Sequence, residues 1–283
     1  MKAVFNDGLI LKENLGFDYK RKEFIKQPIG HKRGFPAIVT IKNKETGEVL
    51  FSGFNKTMIA GGEYMAMEMF DLPHDSFITP TYNNALNLDN TVNTSNPETT
   101  YRTRLFCIGT SGCNRESAIE YEVNNKQWIK PDELVPFQYV PFNKDLNQTQ
   151  RNIYFGKKTI SNLERYAYYF KKFDSDPVLT RQLQDGTPID ATIYDNDSEL
   201  PAQVFVTTTL SISKDDCKDY FIDTVGLNEG LFNCISLCMA WTKVIGGYTT
   251  YQDIRPCTRI NFRNFNFSNL DIGYEITYRI YFA

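Results

Sequence analysis

Histidine is nearly missing from this chain, with only His31 and His74 among 283 residues. Hydrolytic triads and most acid–base relays carry their proton on a histidine, so a nucleophile–histidine–carboxylate constellation has almost nothing to be built from. His31 adjoins Lys32 and Arg33, and His74 follows Leu72-Pro73; both read as exposed or capping residues, and no catalytic residue is expected. A charge excess of one sign is missing too. Lys and Arg number 31 against 34 Asp and Glu, a net charge of -3, which supplies no basic field to hold a polyanion. Direct sequence-specific nucleic-acid binding is therefore not expected. No apolar run approaches the roughly twenty residues that cross a bilayer as a helix, so no membrane span is expected either. The opening Met1-Lys2-Ala3-Val4-Phe5-Asn6-Asp7 carries charge early and lacks the apolar stretch and small-residue cleavage site of a signal peptide. Synthesis and folding in a cytoplasm follow as the expectation.

A C-x-x-C knuckle is also absent. Cys107 and Cys113 flank a glycine-containing turn, and Cys234 and Cys238 have the i, i+4 spacing of one helical face. Neither pair has typical zinc-ligand spacing, and both histidines are remote in sequence. Six cysteines then read as free buried thiols, ordinary small apolar groups of a reducing compartment. No metal and no cofactor are expected. Gly109-Thr110-Ser111-Gly112 lacks the following Lys-Ser/Thr of a phosphate loop and reads as a tight turn after a strand. Asp174-Ser175-Asp176 and Asp195-Asn196-Asp197-Ser198-Glu199 lack the glycine and distal glutamate of a calcium loop and read as solvated turns.

What the chain has in quantity is aromatic carbon: 17 Tyr and 21 Phe, within 41% hydrophobic residues. That composition belongs to a globular, strand-leaning protein. Residues 1–33 mix charge and scattered aromatics without a period and read as an N-terminal arm. Gly34 to Ile41 and Val49 to Phe54 form a hairpin about the turn Asn43 to Glu48. After Gly61-Gly62, which shape the entry, a short helix presents Tyr64, Met67 and Phe70 on one apolar face until Leu72-Pro73 stops it. Residues 75–100, rich in Asn, Thr and Ser, read as a long loop able to reach a neighbour. Tyr101 to Ile108 is strand-like. Residues 114–200, with Trp128 and the aromatic cluster Tyr166, Tyr168, Tyr169, Phe170 and Phe173, read as a large insertion. Gln203 to Ile212 is a β-branched strand, and the apolar run Gly230 to Trp241 fits a strand buried on both faces. The last segment alternates cleanly, with Tyr274, Ile276, Tyr278, Ile280 and Phe282 on one face and Glu275, Thr277, Arg279 and Tyr281 on the other. The expected fold is mainly β, an antiparallel sandwich of residues 34–113 and 201–283 with one short packed helix, interrupted by the insertion.

Two stretches resemble a pattern in tailed-bacteriophage virion proteins. The first runs from Val49-Leu50-Phe51-Ser52-Gly53-Phe54-Asn55 through Thr57-Met58-Ile59-Ala60-Gly61-Gly62-Glu63-Tyr64 and, past the Asn-rich loop, Leu105-Phe106-Cys107-Ile108-Gly109-Thr110-Ser111-Gly112. The second comprises Asn228-Glu229-Gly230-Leu231-Phe232, the basic connector Arg255-Pro256-Cys257-Thr258-Arg259-Ile260-Asn261-Phe262, and the closing strand Ile272 to Phe282. They cover less than half of the chain and contain no catalytic fingerprint. The resemblance implies a non-enzymatic structural subunit of the neck, tail or baseplate. Its partners would be other copies of itself, in a homo-oligomeric ring or symmetric part, and neighbouring virion proteins; its location would be the virion. The aromatic and Asn-rich surfaces keep an alternative open, a carbohydrate- or receptor-binding or decoration protein of the virion.

Overall fold

The computed structural model describes residues 3–4, 10–11, 16–18, 23–25, 37–70, 77, 80–89, 101–115, 121–123, 129–183, 185–189, 202–226, 229–245, 248–267 and 273–282. Within the expected arm 1–33, the described residues are two short antiparallel ribbons, β1 (Ala3–Val4) with β2 (Ile10–Leu11) and β3 (Gly16–Asp18) with β4 (Glu23–Ile25).

The predicted hairpin is β5 (Ala37–Asn43) and β6 (Val49–Thr57). Asn43 closes its turn by accepting the Glu45 and Thr46 N–H groups on Oδ1 at 2.9 and 3.1 Å, and Gly47 supplies the left-handed residue at φ +71°. Helix α1 (Ile59–Phe70) then starts ahead of the glycine pair, so Gly61 and Gly62 lie inside it rather than shaping its entry. Gly61 is buried where the helix backbone presses on the Cys257 carbonyl, whereas Gly62 faces open space. The expected apolar face is only partly right. Met67 is buried and the half-buried Tyr64 donates its hydroxyl to the Tyr101 carbonyl at 2.7 Å, but Phe70 is 71% exposed.

The Asn-rich stretch is not a loop throughout. Helix α2 (Tyr82–Leu86) forms because Thr81 caps its first turn, accepting the Asn84 N–H at 3.2 Å, and Asn87 ends it in the left-handed conformation. Tyr82, Asn83, Leu86 and Leu88 are buried.

The remaining strands are β7 (Arg102–Gly109), the ribbon β8 (Cys113–Arg115) with β9 (Tyr121–Val123), β10 (Leu134–Val135), β11 (Gln138–Pro141), β12 (Tyr154–Ile160), β13 (Arg165–Lys172), β14 (Val178–Leu183), β15 (Ala202–Ile212), β16 (Leu231–Ile245), β17 (Tyr248–Asn266) and β18 (Tyr274–Tyr281). Two short helices complete the set, α3 (Gln148–Arg151) and α4 (Lys218–Thr224). The "basic connector" of the sequence pattern is in fact part of β17, the longest strand.

The protein is mainly β and antiparallel, in keeping with a sandwich. One hydrogen-bonded path runs β11-β13-β7-β16-β17-β6-β5-β18-β15-β14, with β10 added on β7 and β12 on β13. Its two halves meet at a narrow seam, where β17 pairs with β6 only at Thr258–Thr57 and Arg259–Lys56. On the far side, residues after β13 cross between the halves: the Phe173 N–H donates to the Arg104 carbonyl and the Asp174 N–H to the Thr209 carbonyl, both at 3.0 Å. Residues 114–200, read from sequence as an insertion, thus contribute β10 to β14 to the same sheet, with β13 on β7 and β14 on β15.

Period-two burial explains the packing between the halves. Ala37, Val39 and Ile41 on β5 and Tyr274, Ile276 and Tyr278 on β18 face Phe106 and Ile108 on β7, Phe232, Ile235 and Leu237 on β16, and Phe262 on β17. The opposite face of β7 and β16, carrying Leu105, Cys107, Cys234 and Cys238, is covered by Tyr82, Leu86, Leu134 and Phe170. The apolar run of β16 is therefore buried on both faces, as its lack of alternation indicated. At the chain's end the alternation slips. Tyr281 is buried against Phe205, ring centroids 5.3 Å apart, and Phe282 is exposed.

The two adjacent glycines of α1 make a direct test of this packing. Gly61→Ala should lower the unfolding free energy by about 2 kcal/mol or more, because a backbone carbonyl cannot yield to the new methyl. Gly62→Ala should raise it by up to about 1 kcal/mol through helix propensity alone. Urea denaturation of both variants measures the difference.

Candidate interaction surface

The most polar buried spot in the described chain is built around Asp216. Strand β15 ends at Ile212 and turns into α4 through residues 214–217. Cys217 adopts φ 64° there, and its N–H reaches the Phe137 carbonyl at 2.8 Å. This turn sends the fully buried Asp216 inward. Its Oδ2 accepts from Lys171 Nζ at 2.7 Å and from the Ser213 N–H at 2.8 Å, and its Oδ1 accepts the Tyr154 hydroxyl at 2.7 Å and Gln138 Nε2 at 3.5 Å. Burial, then the Asp216 charge and hydrogen bond, push the Tyr154 phenol far above its ordinary range. Every carboxylate oxygen is engaged and both charges are withdrawn from solvent, which suits a structural tie between β11, β12, β13 and the β15–α4 turn rather than a proton relay.

Five of the six cysteines are equally withdrawn; Cys113, expected to be buried, is only half-buried. Cys107 and Cys238 lie on neighbouring strands with sulfurs 3.7 Å apart, and all six are free thiols. Burial pushes Cys234 up to about 11 and Cys257 up to about 12, so neither is a thiolate nucleophile near neutrality. Cys234 and Cys238 do share a face, but on β16 rather than on a helix. Among the described residues no group of His, Cys, Asp and Glu has the placement to hold a metal ion. His31, His74 and residues 195–199 lie outside the described residues; Asp174 and Asp176 are exposed. In the Gly109 to Gly112 turn, the Thr110 N–H donates to the Glu133 carbonyl at 2.9 Å and the Gly112 N–H to Asn233 Oδ1 at 2.6 Å. Those donors point into the protein, away from any incoming phosphate.

A second polar centre is nearer the surface. Asp145 accepts hydrogen bonds from Lys157 at 2.7 Å, from Arg151 at 3.3 Å, from the Leu146 N–H at 2.7 Å and from the Tyr168 hydroxyl. Partial burial works to raise its carboxyl, but the hydrogen bonds from Lys157, Tyr168 and Leu146 and the Lys157 charge outweigh it and hold the group below the ordinary range. Lys157 Nζ also sits 3.5 Å from the centre of the Tyr166 ring, and Phe142 packs on that ring at 4.6 Å. The aromatic cluster is thus occupied by its own neighbours rather than offering a bare ring.

Beside it lies an apolar surface. The Phe142 N–H donates to the Glu164 carbonyl at 3.1 Å, and Arg165 pairs with Asp223 at 2.9 Å. The ion pair joins the start of β13 to α4, and exposed apolar residues flank it: Leu163 (54% exposed), two residues before Arg165, and Ile222 (52%) and Val225 (50%), either side of Asp223 on α4. Phe142 packs on Tyr166, on the other face of β13. Large exposed apolar side chains flanking an ion pair have the make-up of a protein contact. Sequence reasoning missed this surface because no local pattern links residues 163 and 222; the aromatic cluster on β13 was its one nearby signal.

Comparison of the chain with family models, with curated proteins and with solved structures returns no match.

Removing one partner of the buried pair should be far costlier than removing both. Lys171→Met or Asp216→Leu alone is expected to lower the unfolding free energy by about 3–5 kcal/mol, and the double variant by much less than the sum, as read from denaturant midpoints. The depressed Asp145 carboxyl sets a pH dependence. Its contribution is fully present above the unfolded value of about 3.9 and is lost as pH falls through the lower folded value. Asp145→Asn should be less stable at neutral pH and should lose less Tm than the parent between about pH 5 and pH 2.

Proposed function

We propose that this chain is a non-enzymatic structural subunit of a tailed-phage virion, joining copies of itself and neighbouring virion proteins in a symmetric part of the neck, tail or baseplate. The observation that carries the reading is the exposure of Leu163, Ile222 and Val225 in the segments joined by the Arg165–Asp223 pair. A solvent-facing cluster of this kind is stabilised when a protein surface covers it. One cation and one anion side by side also make the patch self-complementary, so that about a two-fold axis Arg165 of one copy can face Asp223 of the other. The resemblance of the hairpin and terminal-strand segments to virion proteins supplies the setting. Buried, fully engaged polar centres and high-pKa thiols support a role through surfaces rather than through chemistry.

The carbohydrate-binding alternative is less well supported. Sugar recognition by aromatic residues uses a free ring face, and the Tyr166 ring is taken up by Lys157 and Phe142.

Size-exclusion chromatography with light scattering tests the reading. The purified chain is expected to be oligomeric at tens of micromolar. Leu163→Asp with Ile222→Asp should weaken association at least about tenfold, the effect of about 1.4 kcal/mol, while leaving the circular dichroism spectrum unchanged. A parent chain that stays monomeric, or a double variant that assembles as before, overturns the use of this surface.

A further inference from the structure

We propose that the seam between the two halves of the sheet encloses an internal water site lined by Asn55, Thr258 and Tyr278. All three side chains are more than nine-tenths buried, with residue exposures of 7%, 8% and 0%. Both polar atoms of Asn55, Oγ1 of Thr258 and the hydroxyl of Tyr278 find no hydrogen-bond partner among the described residues. Buried polar atoms without partners are rare in folded proteins, because each loses its bonds to water and regains none.

The strand registers set the three on one face. Asn55 pairs with Ala37, and Tyr278 pairs with Val39. Ala37 and Val39 belong to the inward face of β5, so Asn55 and Tyr278 share that face. Thr258 pairs with Thr57, two residues along β6 from Asn55 and on the same side of that strand. The Tyr278 phenol, raised first by burial, is raised next by the thiol of Cys257, the residue before Thr258. Tyr278 and Cys257 belong to one buried core cluster.

The ladder itself supplies the space. Pairing between β17 and β6 stops after Arg259–Lys56; one further step in that register would set Ile260 against Asn55, and the two are not paired. The strands part at the very residue whose amide lacks a partner. An interior water makes about three hydrogen bonds, in a range of two to four. Asn55 offers donors and an acceptor, and the two hydroxyls act as either, so one or two waters can satisfy all four atoms. An apolar occupant would leave them bare.

The test substitutes the polar groups by near-isosteres. Tyr278→Phe, Asn55→Leu and Thr258→Val should each lower Tm by about 2–4 °C, because each removes bonds to a held water. The Tyr278→Phe/Asn55→Leu pair should fall short of the sum, because both lose bonds to the same solvent. In a dry seam the same substitutions remove bare polar atoms, and each should raise Tm. Should a variant fail to fold, a crystal structure of the parent chain at better than about 1.8 Å decides. Solvent density within hydrogen-bond distance of at least two of the three side chains is the expected result. Density for apolar contact alone, or none, overturns the site.

Discussion

A lysine and an aspartate held together away from water constrain this protein more than any other single contact. Lys171 and Asp216 come from distant parts of the chain, one on β13 and one in the turn after β15, and meet at 2.7 Å with side-chain exposures of 6% and 0%. A pair of this kind gains little over apolar residues of the same volume. What it does is penalise every arrangement in which one partner stays alone. The central region therefore has one acceptable seat, and Gln138, Tyr154 and the Ser213 N–H hold the carboxylate so that the seat is complete. The consequence is architectural: β11, β12 and β13 are tied to the β15–α4 turn, and the two halves of the sheet share one core.

That core uses its faces unequally. Strands β7 and β16 are covered on both sides, whereas β14 exposes Val178 and Leu179. A free strand edge invites pairing with another chain, and the structure covers part of what it has. The Asp89 N–H caps the Lys157 carbonyl of β12 at 2.7 Å, and on β14 the Leu183 N–H reaches the Thr187 carbonyl at 2.8 Å. Apolar exposure near an ion pair, as at Leu163 and Ile222, is different in kind, because side chains rather than backbone present themselves.

Burial also decides the environment of the thiols and of several polar groups among the described residues. Four of the thiols that the sequence reads as small apolar groups, Cys107, Cys234, Cys238 and Cys257, are buried on β7, β16 and β17. The glycine-containing turn after β7 spends donors on Glu133 and Asn233. Arg259, fully inside, spends its guanidinium on the Ser111 carbonyl and hydroxyl and on Asn261. These contacts hold a loop and a strand in place.

By itself the sequence determined what is local. Period-two alternation marked β5 and β18, unbroken apolarity marked β16 as buried on both faces, and Asn43 with Gly47 marked the first hairpin, because side-chain direction along a strand and turn chemistry are properties of a few consecutive residues. It could not tell that residues 114–200 extend the same sheet, that α2 is built from an Asn-rich stretch and buries Tyr82, or that Phe70 faces outward while Tyr281 faces in. Those outcomes depend on which distant strand lies alongside, and alternation names a face without naming the neighbour. Only the folded chain, with Gln138 meeting Asp216 across 78 positions and Arg165 meeting Asp223 on α4, decided where the structural tie and the exposed apolar surface would be.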